Sequence, residues 1–311
     1  MKIIQIKKND EIKELNLPNN IMTAGFFDGV HLGHQELIKK SRNIADNLSL
    51  PLIVMTFWPY PKQFYTEVPT PYPVLTTQND KYEIFDQLGV DMVIEIEFNS
   101  QIQKMEPQIF VDKYIKAAHV TKFIAGLDFT YGKKDIANMD LLPNYARGDF
   151  SVEKVPFTQL NGTKVSSSKI RSEILKGNFQ SAKKLLGRSY ITKGKVVTGE
   201  QIGRTLGFPT ANVENDDDYL IPKDGVYFTK VQLDENEFWG ITSVGNKPTY
   251  NGNRKYIETY ILDFNHNIYG KELNIEWVYF ERPQKKFESE KELIQEIKND
   301  ELNVRRYIQT K

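Results

Sequence analysis

A strand, a glycine turn and a helix follow one another early in this chain, and that succession limits its fold more than anything else in it. The apolar run Ile21 to Phe27 suits a buried strand, and it leads into Gly25-Phe26-Phe27-Asp28-Gly29-Val30-His31-Leu32-Gly33-His34. Beyond the turn, Leu37, Ile38, Ile44, Ala45 and Leu48 recur on one face of a helix. Leu52 to Phe57 is then continuously apolar, as expected of a strand buried on both faces. A β-α-β unit of this kind crosses over right-handed and builds a parallel sheet. The alternation continues. Ile84, Phe85 and Leu88 mark a helix that Gly89 ends, Val93, Ile94 and Ile96 a strand, Ile109, Phe110, Tyr114 and Ala117 a helix, and Phe123 to Ala125 a strand. Another strand is expected around Phe150 to Val155. The pattern predicts a doubly wound, Rossmann-like α/β domain, in which ligands bind at the carboxyl ends of the strands. The H-x-G-H turn and Gly126-Leu127-Asp128-Phe129 both fall at such ends.

The chemistry of the H-x-G-H turn follows from its position. A helix N-terminus carries partial positive charge and free N–H groups. Gly25 and Gly29 let backbone approach a nucleotide, and Gly33 allows tight helix packing or contact with a phosphate. Two imidazoles there can donate hydrogen bonds to an α-phosphoryl group as charge builds on it, and such positioning dominates phosphoryl and nucleotidyl transfer. Asp28 either orients a histidine, contacts substrate or shapes the turn. No third histidine, cysteine or carboxylate stands at ligand spacing, which disfavours a metal site. Downstream, Val165-Ser166-Ser167-Ser168-Lys169-Ile170-Arg171 opens a short helix with Gly177 as its stop. Its serines and cations suit nucleotide phosphates, and equally suit plain capping with solvated charge.

From Ile191 the pattern changes to short strands and frequent turns. Lys195–Thr198, Gly225–Val231, Phe238–Val244, Tyr256–Phe264 and Leu273–Phe280 are the candidates, and several alternate as half-buried antiparallel strands do. They predict an antiparallel β-barrel. A helix around Glu288 to Tyr307 is expected to dock on it through Leu293, Ile294 and Ile297. The division is expected near residues 183–188, giving domains 1–184 and 185–311. Within the second, Gly199, Gly203 and Gly207 make a flexible flap able to cradle phosphates. Thr210 and Asn212 stand two apart, so both side chains face one way on an extended segment, and their oxygens suit Mg²⁺.

Lysine plus arginine equals aspartate plus glutamate, at 41 each, and the balance holds within each half. No bulk attraction to nucleic acid or to a membrane surface is indicated. The chain has no cysteine, which excludes disulfides and thiolate chemistry and fits a reducing compartment. No apolar run approaches the ~20 residues of a membrane span, and the first residues lack the apolar core of a signal peptide. A cytoplasmic enzyme is expected. The sequence carries no signal for oligomeric state.

Several motifs resemble those of one family in their order. H-x-G-H and the later Ser166-Ser167-Ser168-Lys169-Ile170-Arg171 resemble the nucleotidyltransferase signature of bacterial bifunctional riboflavin kinase/FAD synthetases. Phe57-Trp58-Pro59-Tyr60-Pro61 and Gly126 to Gly132 resemble internal motifs of that module. Gly203-Arg204-Thr205-Leu206-Gly207-Phe208-Pro209-Thr210-Ala211-Asn212 and Ile257-Glu258-Thr259-Tyr260 resemble the riboflavin kinase motifs. Gly245 to Thr249, Tyr269-Gly270 and Arg282 to Phe287 are similar to further family segments. The resemblance implies two ATP-dependent, Mg²⁺-requiring reactions, riboflavin to FMN in the C-terminal domain and FMN to FAD in the N-terminal one. It implies Glu258, His31 and His34 as catalytic residues. Gly25, Phe27, Asp28, Gly33, Ser167, Ser168, Arg171, Gly203 and Gly207 would contact nucleotide or phosphate, Asp128 and Arg282 flavin, and Thr210 and Asn212 the metal. The chain departs from the family at Lys133 to Asn138, and at Tyr260, where the family has histidine. Two other readings stay open at this level, a member with one activity and a flavin-binding regulator.

Overall fold

The computed structural model describes residues 1–7, 12–64, 72–199, 203, 206–215, 219–249 and 252–310. Its contacts fall into two units, Met1–Ser167 and Ser168–Lys311.

The first unit runs β1 (Lys2–Ile6), β2 (Asn20–Ala24), α1 (Leu32–Leu48), β3 (Leu52–Trp58), α2 (Gln78–Gln87) and β4 (Met92–Glu97). Short helices α3 (Ser100–Gln103) and α4 (Pro107–Phe110) precede β5 (Val120–Gly126), followed by α5 (Leu142–Ala146), β6 (Ser151–Val155) and a small hairpin, β7 (Gln159–Leu160) with β8 (Thr163–Lys164). Six strands form one sheet in the order β1-β4-β3-β2-β5-β6, every pair parallel. The chain winds outward from β2 through β3 to β4, then crosses back and continues through β5 to β6. The winding therefore reverses between β2 and β5, and the crevice at their carboxyl ends is the binding position that such sheets offer.

Alternate residues of each strand feed opposite faces. Ile53, Met55 and Phe57 join Phe110 and Phe123 in one apolar layer, while Val54 and Val93 join Ile38, Phe27 and Phe85 in the other. Each such side chain, fully buried, contributes ~1.5–3 kcal/mol. The helices begin where their sequences allow. Thr77 and Asp80 close a reciprocal capping box at the start of α2. β1, an edge strand that the sequence reading passed over, pairs Lys2–Ile6 with Met92–Ile96. The helix expected around Ile109 to Ala117 is α4 followed by one π turn and one 3₁₀ turn.

The second unit opens with α6 (Ser167–Lys176), whose first residue ends the first unit, and α7 (Phe179–Leu186). Gly177 and Gly187, at φ 82° and 75°, end the two helices. Six strands follow, β9 (Ile191–Val197), β10 (Thr210–Glu214), β11 (Gly225–Leu233), β12 (Asn236–Thr249), β13 (Gly252–Ile261) and β14 (Glu272–Arg282). They close into an antiparallel barrel in the order β10-β13-β12-β11-β14-β9. α7 packs on this barrel, with the Phe179 ring against Tyr227 and Trp277, so both helices are grouped with the strands rather than with the sheet. The barrel interior holds a file of hydroxyls, Thr229 to Thr242 at 2.8 Å and Thr242 to Thr259 at 3.0 Å.

The terminal helix α8 (Glu290–Gln309) docks later along its length than its sequence suggested. Leu293, Ile294 and Ile297 are only half-buried, while Val304 is fully buried and Tyr307 packs on Phe228 and Tyr279.

Candidate active sites

His31 starts α1. Its Nδ1 accepts the His34 backbone N–H at 3.3 Å, which makes an imidazole the N-cap. A ring nitrogen that accepts cannot carry the proton, so in the neutral ring Nε2 is the donor. The His31 and His34 rings stack at 3.6 Å and 16°, and Phe27 meets His34 edge-on at 5.1 Å. Gly33 leaves room for this pair, since a Cβ there would lie 3.3 Å from the His31 ring. Gly25 leaves room for Phe27, whose ring a Cβ would meet at 3.1 Å. Both glycines thus serve ring packing, and the Phe27 side chain is part of the buried core.

The turn between β2 and α1 is held in a rare conformation. Phe27, Gly29 and Val30 have φ of 58°, 79° and 33°, costly for the phenylalanine and most of all for the β-branched valine. Three hydrogen bonds over-determine it. Asp28, buried, accepts the Leu75 N–H at 2.7 Å, Gly29 N–H donates to Thr76 Oγ1 at 3.0 Å, and Ser167 Oγ donates to the Asp28 carbonyl at 2.8 Å. Of the three meanings open to Asp28 in sequence, the structure shows the shaping of the turn. Ser167 is therefore tied to the H-x-G-H turn, whereas Ser168 and Arg171 belong to the second unit on α6. Asp128 lies just past β5, on the other side of the crevice from the turn that follows β2, and pairs with Lys164 at 3.0 Å.

A ladder of rings at the carboxyl edge of this sheet escaped the sequence reading. Phe26 lies 4.1 Å from Tyr60, and Tyr60 stacks on Tyr72 at 4.5 Å and 21°. Phe26 and Tyr60 stand in two separate sequence motifs and Tyr72 in neither; the sheet is what brings the three rings together.

The second candidate site is on the barrel. β10 pairs antiparallel with β13 so that Thr210 faces Tyr260 and Asn212 faces Glu258. Directly opposed residues point to the same side, so the side chains of Thr210 and Asn212 and one carboxylate share a face. Gly199 and Gly203 lie against Asn212 and Thr210. A Cβ at Gly199 would run into the Asn212 amide, a Cβ at Gly203 would sit 3.2 Å from Thr210 Oγ1, and Phe208 meets Tyr260 edge-on at 5.5 Å. Gly207 sits at φ 86°. Arg204 and Thr205 of the same motif lie outside the described residues. Beside Thr210 opens a cavity of about 330 Å³ lined by Thr259, Ile261, Phe264, His266 and Tyr269. Burial raises the Tyr260 hydroxyl above its ordinary range, so the ring that stands in the histidine position stays neutral.

Arg282 is not brought to that face as an unshared cation. Its guanidinium is bidentate to Asp300 on α8, at 2.9 and 2.6 Å, and lies 3.2 Å from Glu296. Among the described residues no cluster of three histidine, cysteine, aspartate or glutamate side chains could hold a metal ion.

Against known proteins, a family model described as FAD synthetase matches residues 13–169, and one described as riboflavin kinase matches residues 186–308. A bifunctional riboflavin kinase/FMN adenylyltransferase of Listeria monocytogenes is 42% identical over 290 residues, 93% of this chain and 92% of that protein. One from Bacillus subtilis is 36% identical over 310 residues, 99% of this chain and 98% of that protein. A crystal structure described as a macrolide-efflux protein from Streptococcus pneumoniae matches with a TM-score of 0.88 at 34% identity, covering 98% of this chain and 99% of that one. Among the described residues of the present chain, no helix is long and apolar enough to cross a membrane.

Proposed function

The chain belongs to the bifunctional riboflavin kinase/FMN adenylyltransferase family, and from that premise we propose how its residues divide two reactions. The chain makes flavin cofactors in two ATP-dependent transfers, phosphorylation of riboflavin to FMN and adenylylation of FMN to FAD with release of pyrophosphate. We assign the first to residues 185–311 and the second to residues 1–184.

In the kinase, Glu258 takes the proton of the ribityl hydroxyl as its oxygen attacks the γ-phosphorus. The new O–P bond forms as the bond to the β–γ bridging oxygen breaks, and ADP leaves. The observation that supports this is the register that sets Glu258 opposite Asn212, with Thr210 on the same face. Thr210 and Asn212 offer oxygen atoms only, a donor set that fits Mg²⁺, which draws its remaining ligands from phosphates and water. The bound ion would neutralise phosphate charge. Gly203 and Gly207 let the flap backbone approach the phosphates, and the cavity beside Thr210 has the size and aromatic lining to take the nucleoside of ATP.

In the adenylyltransferase, the phosphate oxygen of FMN attacks the α-phosphorus of ATP, and pyrophosphate leaves. His31 donates from Nε2 to the α-phosphoryl group, with His34 stacked behind it. Gly25, Phe27, Asp28 and Gly33 shape the nucleotide site, mostly by fixing the turn. Ser167, Ser168 and Arg171 hold the departing pyrophosphate, a reading supported for Ser167 by its bond to the Asp28 carbonyl. Asp128 and the Phe26–Tyr60–Tyr72 ladder flank the crevice where the flavin is expected. Arg282 would serve flavin binding through a guanidinium already shared with Asp300. A cysteine-free chain that uses ATP is read as cytoplasmic.

Chromatography of products from riboflavin, ATP and Mg²⁺ tests the assignment. Wild type should give FMN and then FAD. His31→Ala should stop at FMN. Glu258→Ala should make no FMN yet convert supplied FMN to FAD. Loss of both reactions in either variant would refute two separate sites, and binding of flavin with no product from any substrate would favour a regulator.

A further inference from the structure

Lys81, on α2, has been taken wholly out of water. It is 0% exposed, and its Nζ has no hydrogen-bond partner among the described residues. The ammonium lies 4.7 Å from the Phe26 ring centre and 5.4 Å from that of Trp58, at the carboxyl edge of β2 and β3. Two carboxylates act on it, Asp28 from the turn and Glu95 from β4, and each has another partner. Asp28 accepts the Leu75 N–H at 2.7 Å, and Glu95 accepts Gln78 Nε2 at 2.6 Å. On α2 itself the adjacent Tyr82 hydroxyl is pushed above its ordinary range, by burial first and then by Glu95. β3 contributes the Trp58 ring. Burial lowers the Lys81 amine to about 8, although both carboxylates oppose that shift.

A methionine or leucine would fill the same space without desolvating a charge. The ammonium instead sits beneath the turn whose left-handed residues deliver His31, and it acts on the one carboxylate in that turn. We propose that charged Lys81 is a positioning residue for adenylylation, holding Asp28 and through it the turn that presents His31 and His34 to the α-phosphoryl group. This rests on the assignment of AMP transfer to the H-x-G-H site.

The test is kcat and KM for FMN adenylylation between pH 6.5 and 9.5 in the full-length wild type, Lys81→Met and Lys81→Arg, with riboflavin phosphorylation by the same preparations as an internal control. In wild type, kcat should fall with the loss of one proton near pH 8, because the charged form is the active one. Lys81→Met should lower kcat at least about tenfold at pH 7, change KM less than about threefold, and show no such fall. Lys81→Arg should stay within about threefold of wild type at pH 7 and remain active to the top of the range, since arginine does not deprotonate there. Phosphorylation should be unchanged throughout. Wild-type kcat in Lys81→Met, or a fall near pH 8 that persists in Lys81→Arg, would overturn the proposal. If Lys81→Met does not fold, the Lys81→Arg profile decides alone. His31→Ala separates the two levels. If it abolishes adenylylation while the Lys81 variants are silent, only the role of Lys81 is lost; if His31→Ala is itself active, the site assignment fails.

Discussion

His31 joins two roles that one substitution can separate. As N-cap it satisfies the His34 amide, and in the proposed reaction its imidazole would offer Nε2–H to a phosphoryl group. Alanine removes both, and the lost cap alone costs about 1 kcal/mol. Asparagine is among the best caps but has no ring. His31→Asn should therefore melt close to wild type while losing roughly a hundredfold or more in adenylylation kcat. Equal recovery of stability and activity would reduce His31 to a cap. Lys81 permits a second separation, this time by pH. Its amine sits at about 8 in the fold against 10.5 when exposed. Below pH 8 the ammonium is charged in both states, and the fold carries a burial cost of about 3 kcal/mol. Between 8 and 10.5 the folded chain gives up the proton first, so that cost fades as pH rises. Lys81→Met should be the more stable chain at pH 7 and no more stable than wild type near pH 10.5, as read from urea unfolding at both. A less stable Lys81→Met at pH 7 would mean that Asp28 and Glu95 attract the ammonium more than burial penalises it. The H-x-G-H histidines were readable in sequence because the motif is local. Lys81 was not, because its surroundings come from residues 26, 28, 58 and 95.

Elements fix what residues alone leave open. Thr210 and Asn212 could be placed on one side of an extended segment from their spacing. That Glu258 stands across from Asn212 is a matter of register between β10 and β13, and no local pattern encodes it. The same reason explains Arg282. In sequence it lies within a segment similar to the family's, but the barrel and α8 bring Asp300 and Glu296 onto its guanidinium. Removing one partner of a buried pair leaves the other uncompensated, at about 3–5 kcal/mol. Arg282→Met should lower the stability of the barrel by that order in denaturant, followed through Trp239 and Trp277. Unchanged stability with a raised KM for riboflavin would instead make Arg282 a flavin contact. The docking of α8 was misread for a related reason. Its apolar spacing favours Leu293, Ile294 and Ile297, whereas Val304 joins the buried cluster of Phe228 and Tyr307 meets Phe228 and Tyr279.

For the whole molecule, the change of period from alternating strands and helices to short antiparallel strands was enough to announce two architectures. Its exact place was less legible, because α6 and α7 look like a continuation of the first pattern but are grouped with the barrel, α7 packing through Phe179 on barrel rings. The residues proposed as catalytic lie in different units, His31 and His34 in the first and Glu258 in the second, so two chains with complementary defects should cooperate. A mixture of His31→Ala and Glu258→Ala should convert riboflavin to FAD after a lag in which free FMN accumulates, as time-resolved chromatography would show. No FAD from the mixture, when each variant retains its own half-reaction, would mean that FMN does not leave the chain that made it. The bond from Ser167 to the Asp28 carbonyl, which spans 139 positions, also has a consequence in time. A ribosome adding about 5–20 residues per second needs on the order of ten seconds to travel from one end of that bond to the other. Through that interval the emerging turn lacks its final clasp, so the turn of a nascent chain is completed only after all six strands of its sheet have been synthesised.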